Sequence, residues 1–367
     1  MPGLVILTKE QIKQREPNVS DEAIAALFAP TVGIICPWEY AIALTETAMS
    51  NGVTLSLNSR VTGVERNHEG YRITTVRGTI DARYVLNAAG LNSDEVHNMV
   101  AAPAFEIIPD RGVYYLLDKT ENGLINHVIF HCPLKEGKGT LVAPTIHGNV
   151  IVGPNNEKPT GKDDVSVTRQ GLETVADRAK KSVPGVNLKE SIRNFAGVRA
   201  ASDKDDFIIA QADGAYGFID IAGIKSPGLT SAPAIAKMAA GLLEEAGLEL
   251  CLKPDFKAER SRKRFKTLPI EEKNAIIKNS PAYGHVVCRC ETVTEGEILT
   301  AIGSAIPPVS VEGVKRRCNA GMGRCQGGFC GPRVVEILSR ELGISPLDVL
   351  LDKEGSFVFT GKGEADV

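Results

Sequence analysis

No run of apolar residues in this chain approaches the ~18 that a membrane-crossing helix requires. The nearest candidate, Leu229 to Leu243, is interrupted by Lys237 and followed by Glu244 and Glu245, which makes it a helix of a globular body. Nothing at the start combines a basic segment with an apolar core, so no secretory signal is read. A dominant charge is missing too. With 42 basic and 45 acidic side chains the net charge is −3, which excludes the global basic field of a nucleic-acid binder. One local run, Lys257 to Lys266, is strongly basic; its ordinary reading is a solvated helix face, with docking to a membrane or a partner as the alternative. Aromatic residues are sparse at 5%, yet a hydrophobic content of 43% over 367 residues supports two or more domains with real cores. There is no internal repeat. Cys36, Cys132 and Cys251 follow no disulfide pattern, which points to a reducing compartment and so to the cytoplasm.

What the chain does have is a concentration of cysteine near its C-terminus: Cys288-x-Cys290 and Cys325-x4-Cys330. Folding the intervening segment back brings four thiolates together, the ligand set of a two-iron, two-sulfur cluster. The second pair lies in GMGRCQGGFCGPR, where Gly321, Gly323, Gly327, Gly328 and Gly331 let backbone approach the sulfides and donate N–H groups. Structural zinc is the competing reading, although zinc usually draws on C-x2–4-C pairs and a C-x-C spacing is tight for it. Cys318, in the same region, reads as a small hydrophobic filler, with an alternative ligand thiol as the rival reading.

Strands and helices alternate through the first two thirds of the chain. A helix is expected from Pro37 to Ser50, with Pro37 in its first turn and Gly52 past its end. Short β-branched runs follow at Val53 to Leu57, Arg60 to Glu65, Tyr71 to Val76 and Tyr84 to Leu86. Further strands are expected in YYLLD, HVIFH, TLVAP and NVIVG, then a helix from about Thr168 to Lys181. Strands around Ile192 to Val198, Phe207 to Ala210 and Tyr216 to Ala222 lead to a helix from Thr230 onward. Residues 1–250 form the main unit, 251–282 a polar linker with one or two helices, 283–342 the cysteine domain and 343–367 a short tail.

Two stretches carry the signal of a nucleotide site. In YVLNAAGLNSD an apolar strand ends in Ala88-Ala89-Gly90, where the lack of side chains lets backbone approach a phosphate or a ring. An ordinary buried strand can end the same way. In IAGIKSPGLTSAP a glycine-rich turn opens a helix with Thr230 and Ser231 at its start, and such a start favours an anion.

Together these stretches resemble the FAD-dependent oxidoreductases of the D-amino-acid-oxidase superfamily, glycerol-3-phosphate and L-2-hydroxyglutarate dehydrogenases in particular. Residues 283–342 resemble the bacterioferritin-associated-ferredoxin-like domain found at the C-terminus of anaerobic glycerol-3-phosphate dehydrogenases. The resemblance implies an α/β (α+β) class: a truncated FAD-binding Rossmann-like domain interleaved with an antiparallel-sheet substrate domain, then a small helical 2Fe-2S domain. It implies cluster ligation by Cys288, Cys290, Cys325 and Cys330. It implies FAD contacts at Val61 near the adenine, at Ala88, Ala89 and Gly90 under the pyrophosphate, and at Gly228, Leu229 and Thr230 beside the isoalloxazine.

Such families open on a strand followed by G-x-G-x-x-G, and nothing before Pro37 contains that motif; Gly321-x-Gly323 precedes cysteines, not a phosphate-binding helix. The expectation is a chain truncated at its N-terminus, in which the hold on FAD and the activity are open to test without the missing half.

For the substrate, Arg199 in NFAGVRAASDKDD is expected to clamp an anion with its planar fork; a surface pair with Asp203 or Asp205 is the structural alternative. The resemblance places Arg111 and Tyr114 on a strand facing the flavin and Lys225 beside it, where membrane-bound glycerol-phosphate dehydrogenases carry a lysine at the Gly228 position instead. His131 and His147 are the candidate bases, each competing with a structural role. The expected reaction oxidises a small anionic 2-hydroxy compound, foremost sn-glycerol 3-phosphate to dihydroxyacetone phosphate, and passes electrons through the cluster to a flavoprotein or quinone-linked partner. L-2-hydroxyglutarate or another hydroxy or amino acid is the alternative substrate; a non-catalytic electron-transfer or scaffold subunit is the alternative of another class. No nucleic acid is expected, and membrane association would run through a partner.

Overall fold

The computed structural model describes residues 3–132, 139–204, 206–258, 260 and 264–361. Strand β1 (Val5–Thr8) runs into helix α1 (Lys9–Arg15) through a capping box between Thr8 and Gln11, and pairs with β2 (Ala25–Phe28). Helix α2 (Pro37–Ser50) has the expected bounds, set by Pro37 in its first turn and by Gly52 at φ +98° past its end. Val53 to Leu57, expected as a strand, is a loop. The Val53 N–H goes back to the Ala48 carbonyl, and both ends of the segment stay exposed, so no neighbouring strand covers it.

A meander follows: β3 (Val61–Asn67), β4 (Gly70–Thr75) and β5 (Gly78–Ala82). It leads to the short strand β6 (Val85–Asn87) and helix α3 (Ser93–His97). Next come the long strand β7 (Ile107–Leu117), β8 (Ile129–Phe130), β9 (Leu141–Pro144), β10 (Val150–Gly153), helix α4 (Arg169–Ser182) and β11 (Ser191–Ser202). These strands make one antiparallel sheet in the order β11-β7-β10-β9-β8, as expected for a substrate domain. Helix α4 covers one face of it, where Leu117, Val142, Val150 and Val152 meet Val175, Ala179 and Val183, all at most 1% exposed. Each of the valines and the leucine contributes about 1.5–3 kcal/mol by burial.

Strands β12 (Ile208–Gln211) and β13 (Phe218–Ala222) return to β6. Strand β13 runs parallel to β6, with Phe218 opposite Val85 and Asp220 opposite Asn87. Helix α5 (Gly228–Glu245) then opens two turns after β13. The segment beyond it wraps α2: Lys253 Nζ reaches the Asn51 carbonyl, and Arg260 and Arg264 pair with Glu46 and Glu39 of that helix. Arg260 and Arg264 of the basic run thus bind their own chain, while residues 259 and 261–263 lie outside the described set.

Helix α6 (Ile270–Asn279) leads into the cysteine domain: a β14 (Val286–Cys288) and β15 (Val293–Thr294) hairpin and helices α7 (Glu295–Ile302), α8 (Val311–Cys318) and α9 (Gly331–Leu342). Its core holds Ile298, Val314, Val334, Val335, Ile337 and Leu338. Val349 is fully buried in the same core and Leu350 bridges Ser310, so this domain extends past residue 342, into what was expected as tail. Lys119 to Glu291 at 2.7 Å and Arg324 to Glu190 at 2.6 Å fasten it to the substrate domain.

Candidate functional site

The carboxyl ends of the parallel pair β6 and β13 lie side by side, the place where α/β sheets hold ligands. Their alignment is set by a buried network that sequence reasoning missed. Asp220 Oδ1 accepts from Asn87 Nδ2 and its Oδ2 meets His97 Nδ1, both at 2.7 Å, with His97 and Asp220 side chains 3% exposed. Asn87 also donates to the Ser93 carbonyl at 2.8 Å, tying the turn after β6 to the strand itself. Asp220→Ala leaves two buried polar groups without an acceptor. A loss of about 3–5 kcal/mol is expected, read as a clear fall in melting temperature, with Asp220→Asn falling less because it keeps one acceptor oxygen.

Past these strand ends lies an open groove of about 860 Å³, whose walls include Gly90, Arg199, Lys225, Gly228, Leu229 and Thr230. Six of the expected residues, from three separated segments, therefore meet at one place. Ala88 and Ala89 lead into it directly after β6, whereas Val61 opens β3 in the neighbouring meander. The start of α5 faces the groove with no side chain capping it, so the positive end of an 18-residue helix is left to a ligand.

Arg199 reaches the groove from β11. Its guanidinium donates to Asp110, to Asn156 Oδ1 at 3.0 Å and to the Asn155 carbonyl at 2.9 Å. The surface pair with Asp203 does not form: Asp203 bonds Lys204 and the Glu106 N–H, and Asp205 lies outside the described residues. The Arg199 guanidinium can cross the sheet because its neighbour on β7 is glycine. A Cβ on Gly112 would lie 2.0 Å from the Arg199 side chain. Tyr114 stands on the same face, stacked on Phe195 at 5.1 Å; burial pushes its phenol pKa up, and the adjacent Arg199 opposes this.

Three expected site residues are elsewhere. Arg111 has the opposite parity on β7 and points to the α4 side, where it is held between Glu157 and Asp164, each at 2.7 Å. Its role there is to anchor the loop that caps α4, since Glu157 also accepts from Thr168. His131 bonds Ser182 of α4 at 2.6 Å and borders neither the groove nor the cysteines. His147 lies between α2 and the cysteine domain, 3.2 Å from Asn319.

The cysteine quartet assembles in crossed fashion, one sulfur from each sequence pair. Cys290 Sγ lies 3.7 Å from Cys325 Sγ, and Cys288 is hydrogen-bonded to Cys330. That bond with Cys330, opposed by burial and aided by the Gly321 N–H at 3.5 Å, brings the Cys288 pKa down to about 6, while Cys330 is raised as its partner. The N–H of Phe329, ahead of burial and the N–H of Gly327, lowers Cys325. A single tetrahedral zinc would hold all four sulfurs about 3.8 Å apart, given Zn–S bonds near 2.3 Å. Among the described residues no three of these sulfurs lie within 4.8 Å of one another, so the thiols gather two by two, which suits an iron–sulfur cluster better than a single tetrahedral zinc. Cys318 turns its thiol to the Val314 carbonyl at 3.3 Å and packs against the core of this domain, as a filler does.

Parallel strands opening on an uncapped helix start, joined to a small domain that gathers four thiols in two pairs, define a redox protein of two cofactors. The family model described as FAD dependent oxidoreductase matches residues 2–242, and that for the BFD-like [2Fe-2S] binding domain matches residues 286–340. The chain belongs to the FAD dependent oxidoreductase family, with a BFD-like 2Fe-2S domain appended, and FAD and a 2Fe-2S cluster are its cofactors. It is 47% identical to the glycerol 3-phosphate dehydrogenase of Caloramator mitchellensis, over 100% of this chain and 77% of that one. It is 31% identical to the glycerol 3-phosphate oxidase of Mycoplasma genitalium, over 66% of this chain and 64% of that one, so it spans just under two thirds of that relative's length. The FAD-bound, dithionite-reduced L-alpha-glycerophosphate oxidase from Mycoplasma pneumoniae superposes with a TM-score of 0.61 at 29% identity, covering 69% of this chain and 67% of that one. No helix among the described residues is long and apolar enough to cross a membrane.

Proposed function

We propose that this oxidoreductase oxidises sn-glycerol 3-phosphate to dihydroxyacetone phosphate and delivers the electrons, through its iron–sulfur domain, to a protein acceptor. The observation that carries this reading is the meeting of Arg199, Lys225 and the start of α5 on one groove, in a chain related to proteins named for that substrate. Two cations beside one helix start suit a phosphate dianion. Arg199 is the positioning clamp: Asp110, Asn156 and the Asn155 carbonyl fix its fork at the wall of the groove, so it meets an anion with little further ordering cost. Lys225 neutralises the second charge. Tyr114, kept protonated by burial, supports the guanidinium from beneath.

The residues that would hold FAD are Ala88, Ala89 and Gly90 at the end of β6 and Gly228, Leu229 and Thr230 at the start of α5, with Val61 toward the adenine. The ligands of the cluster would be Cys288, Cys290, Cys325 and Cys330. When bound, FAD supplies a two-electron acceptor for a carbinol hydride, and the cluster a one-electron carrier. The four thiols are not equally covered: Cys288 and Cys330 are buried, whereas Cys290 is exposed and the neighbouring Phe329 is 90% exposed. That edge is where we place the docking of the electron acceptor. The chain is placed in the cytoplasm because Cys36, Cys132 and Cys251 follow no disulfide pattern.

The test is dye reduction by anaerobically purified protein supplied with sn-glycerol 3-phosphate, L-2-hydroxyglutarate or glycine. Turnover is expected with the phosphate ester. Turnover with either of the others and none with the ester would overturn the substrate assignment.

A further inference from the structure

We propose a second metal site, separate from the cluster, in which Cys36, Glu39 and His147 bind a divalent zinc-type ion that bolts the start of α2 to the turn between β9 and β10. A thiol sulfur, a carboxylate oxygen and a ring nitrogen from these three residues all lie within 4.8 Å of one another. They are close enough to share an ion, yet His147 Nε2 is buried with no hydrogen-bond partner. Donor atoms that converge without bonding to each other are what a coordination sphere leaves when its ion is taken out.

The surroundings complete the site. Cys36 is 3% exposed and precedes the first turn of α2, and Glu39 lies within that turn, so one helix start presents two ligands of opposite hardness. Arg264 holds Oε2 of Glu39, which fixes the carboxylate and leaves Oε1 to the ion. On the other side, Asn319 contacts Nδ1 of His147 at 3.2 Å, while Asn319 Oδ1 is itself buried without a partner. Amide oxygen and nitrogen are interchangeable in shape, so turning Asn319 over sets its carbonyl against Nδ1–H. The imidazole then offers the Nε2 lone pair, in the outer-shell arrangement common to metal-bound histidines.

Charge balance agrees. A thiolate and a carboxylate offset most of the charge of a divalent cation, with Arg264 already drawing on the Glu39 carboxylate through Oε2. Thiolate with imidazole and carboxylate is a borderline-soft set that suits zinc, with a fourth position open to water. Because Asn319 belongs to the cluster domain and Pro37 borders the flavin groove, the ion would hold the two cofactor regions in register.

The experiment uses the anaerobically purified holoprotein with its iron–sulfur cluster in place. Stoichiometric zinc beyond the cluster iron is expected, and X-ray absorption at the zinc edge should show a single sulfur among nitrogen and oxygen neighbours. Substitution with Co2+ should give a thiolate-to-cobalt charge-transfer band that disappears in Cys36→Ser and in His147→Gln while cluster iron is retained. An all-sulfur zinc shell would mean zinc in the cluster cysteines and would overturn the proposal. So would the absence of bound zinc together with a cobalt spectrum that Cys36→Ser leaves unchanged. The wild-type absorption measurement decides the matter even where a variant fails to fold.

Discussion

Arg199→Met is expected to lower kcat/KM for the anionic substrate by roughly a hundredfold to a thousandfold, about 3–4 kcal/mol of lost stabilisation. The magnitude follows from what surrounds the guanidinium. It is partly covered, at 18% side-chain exposure, and Asp110, Asn156 Oδ1 and the Asn155 carbonyl hold it in place, so its fork is not free to drift even though Asp110 offsets part of its charge. Methionine keeps the length and apolar stem and removes the charge. Because the Asp110 carboxylate and the Asn155 carbonyl lose their donor, the melting temperature should fall as well, but the loss in kcat/KM per folded, flavin-loaded protein should remain. Arg199→Lys should recover only part of the activity, because a point charge cannot reproduce a planar fork. If Arg199→Met turns over the substrate as wild type does, the clamp is elsewhere and Lys225 becomes the residue to examine.

Gly112→Ala makes the same point from the opposite strand. The added Cβ would fall 2.0 Å from the Arg199 guanidinium and 2.7 Å from Pro154, and a side chain that already bonds three partners cannot move aside without breaking them. A rise in KM with a smaller change in kcat is expected from steady-state kinetics, since the substrate chemistry itself is not touched.

How much of this was legible in the sequence depends on the range of the interaction. Helix α2 carried its own signals, a proline at one end and a glycine at the other, and its bounds were predicted as found. Strand β5 and the β1-β2 pair were missed because their exposed, short segments owe their existence to a partner strand, not to a pattern of their own. The cysteine spacing announced a shared centre but not its crossed pairing, which depends on how the β14-β15 hairpin meets the loop before α9. Arg199 and Gly228 were recoverable because each sits in a recognisable local run. Arg111 was misplaced by one step of strand parity: beside Asp110, which faces Arg199, it must point the other way. The His97–Asp220–Asn87 network and the Cys36–Glu39–His147 group left no local trace, since each joins residues from distant segments.

Gly323→Ala is expected to remove most of the iron and acid-labile sulfide from the protein while leaving bound flavin in place. The new Cβ would lie 2.3 Å from Cys290 Cβ and 3.2 Å from the Glu291 carboxylate, so the strain falls on the most exposed ligand of the quartet and on its neighbour. Glu291 cannot yield freely, because its side chain is 4% exposed and paired with Lys119 at 2.7 Å. Cys290 must move instead, and its sulfur then leaves its 3.7 Å pairing with Cys325, two of the four thiols that would hold the cluster. Gly331→Ala is the control: nothing lies within 4 Å of a Cβ at that position, and alanine suits the first turn of α9, so the cluster should survive. The readout is iron and sulfide analysis beside the visible and electron paramagnetic resonance spectra of both variants. Full clusters in Gly323→Ala would mean that Cys290 is not a ligand, and the crossed pairing would fall with it.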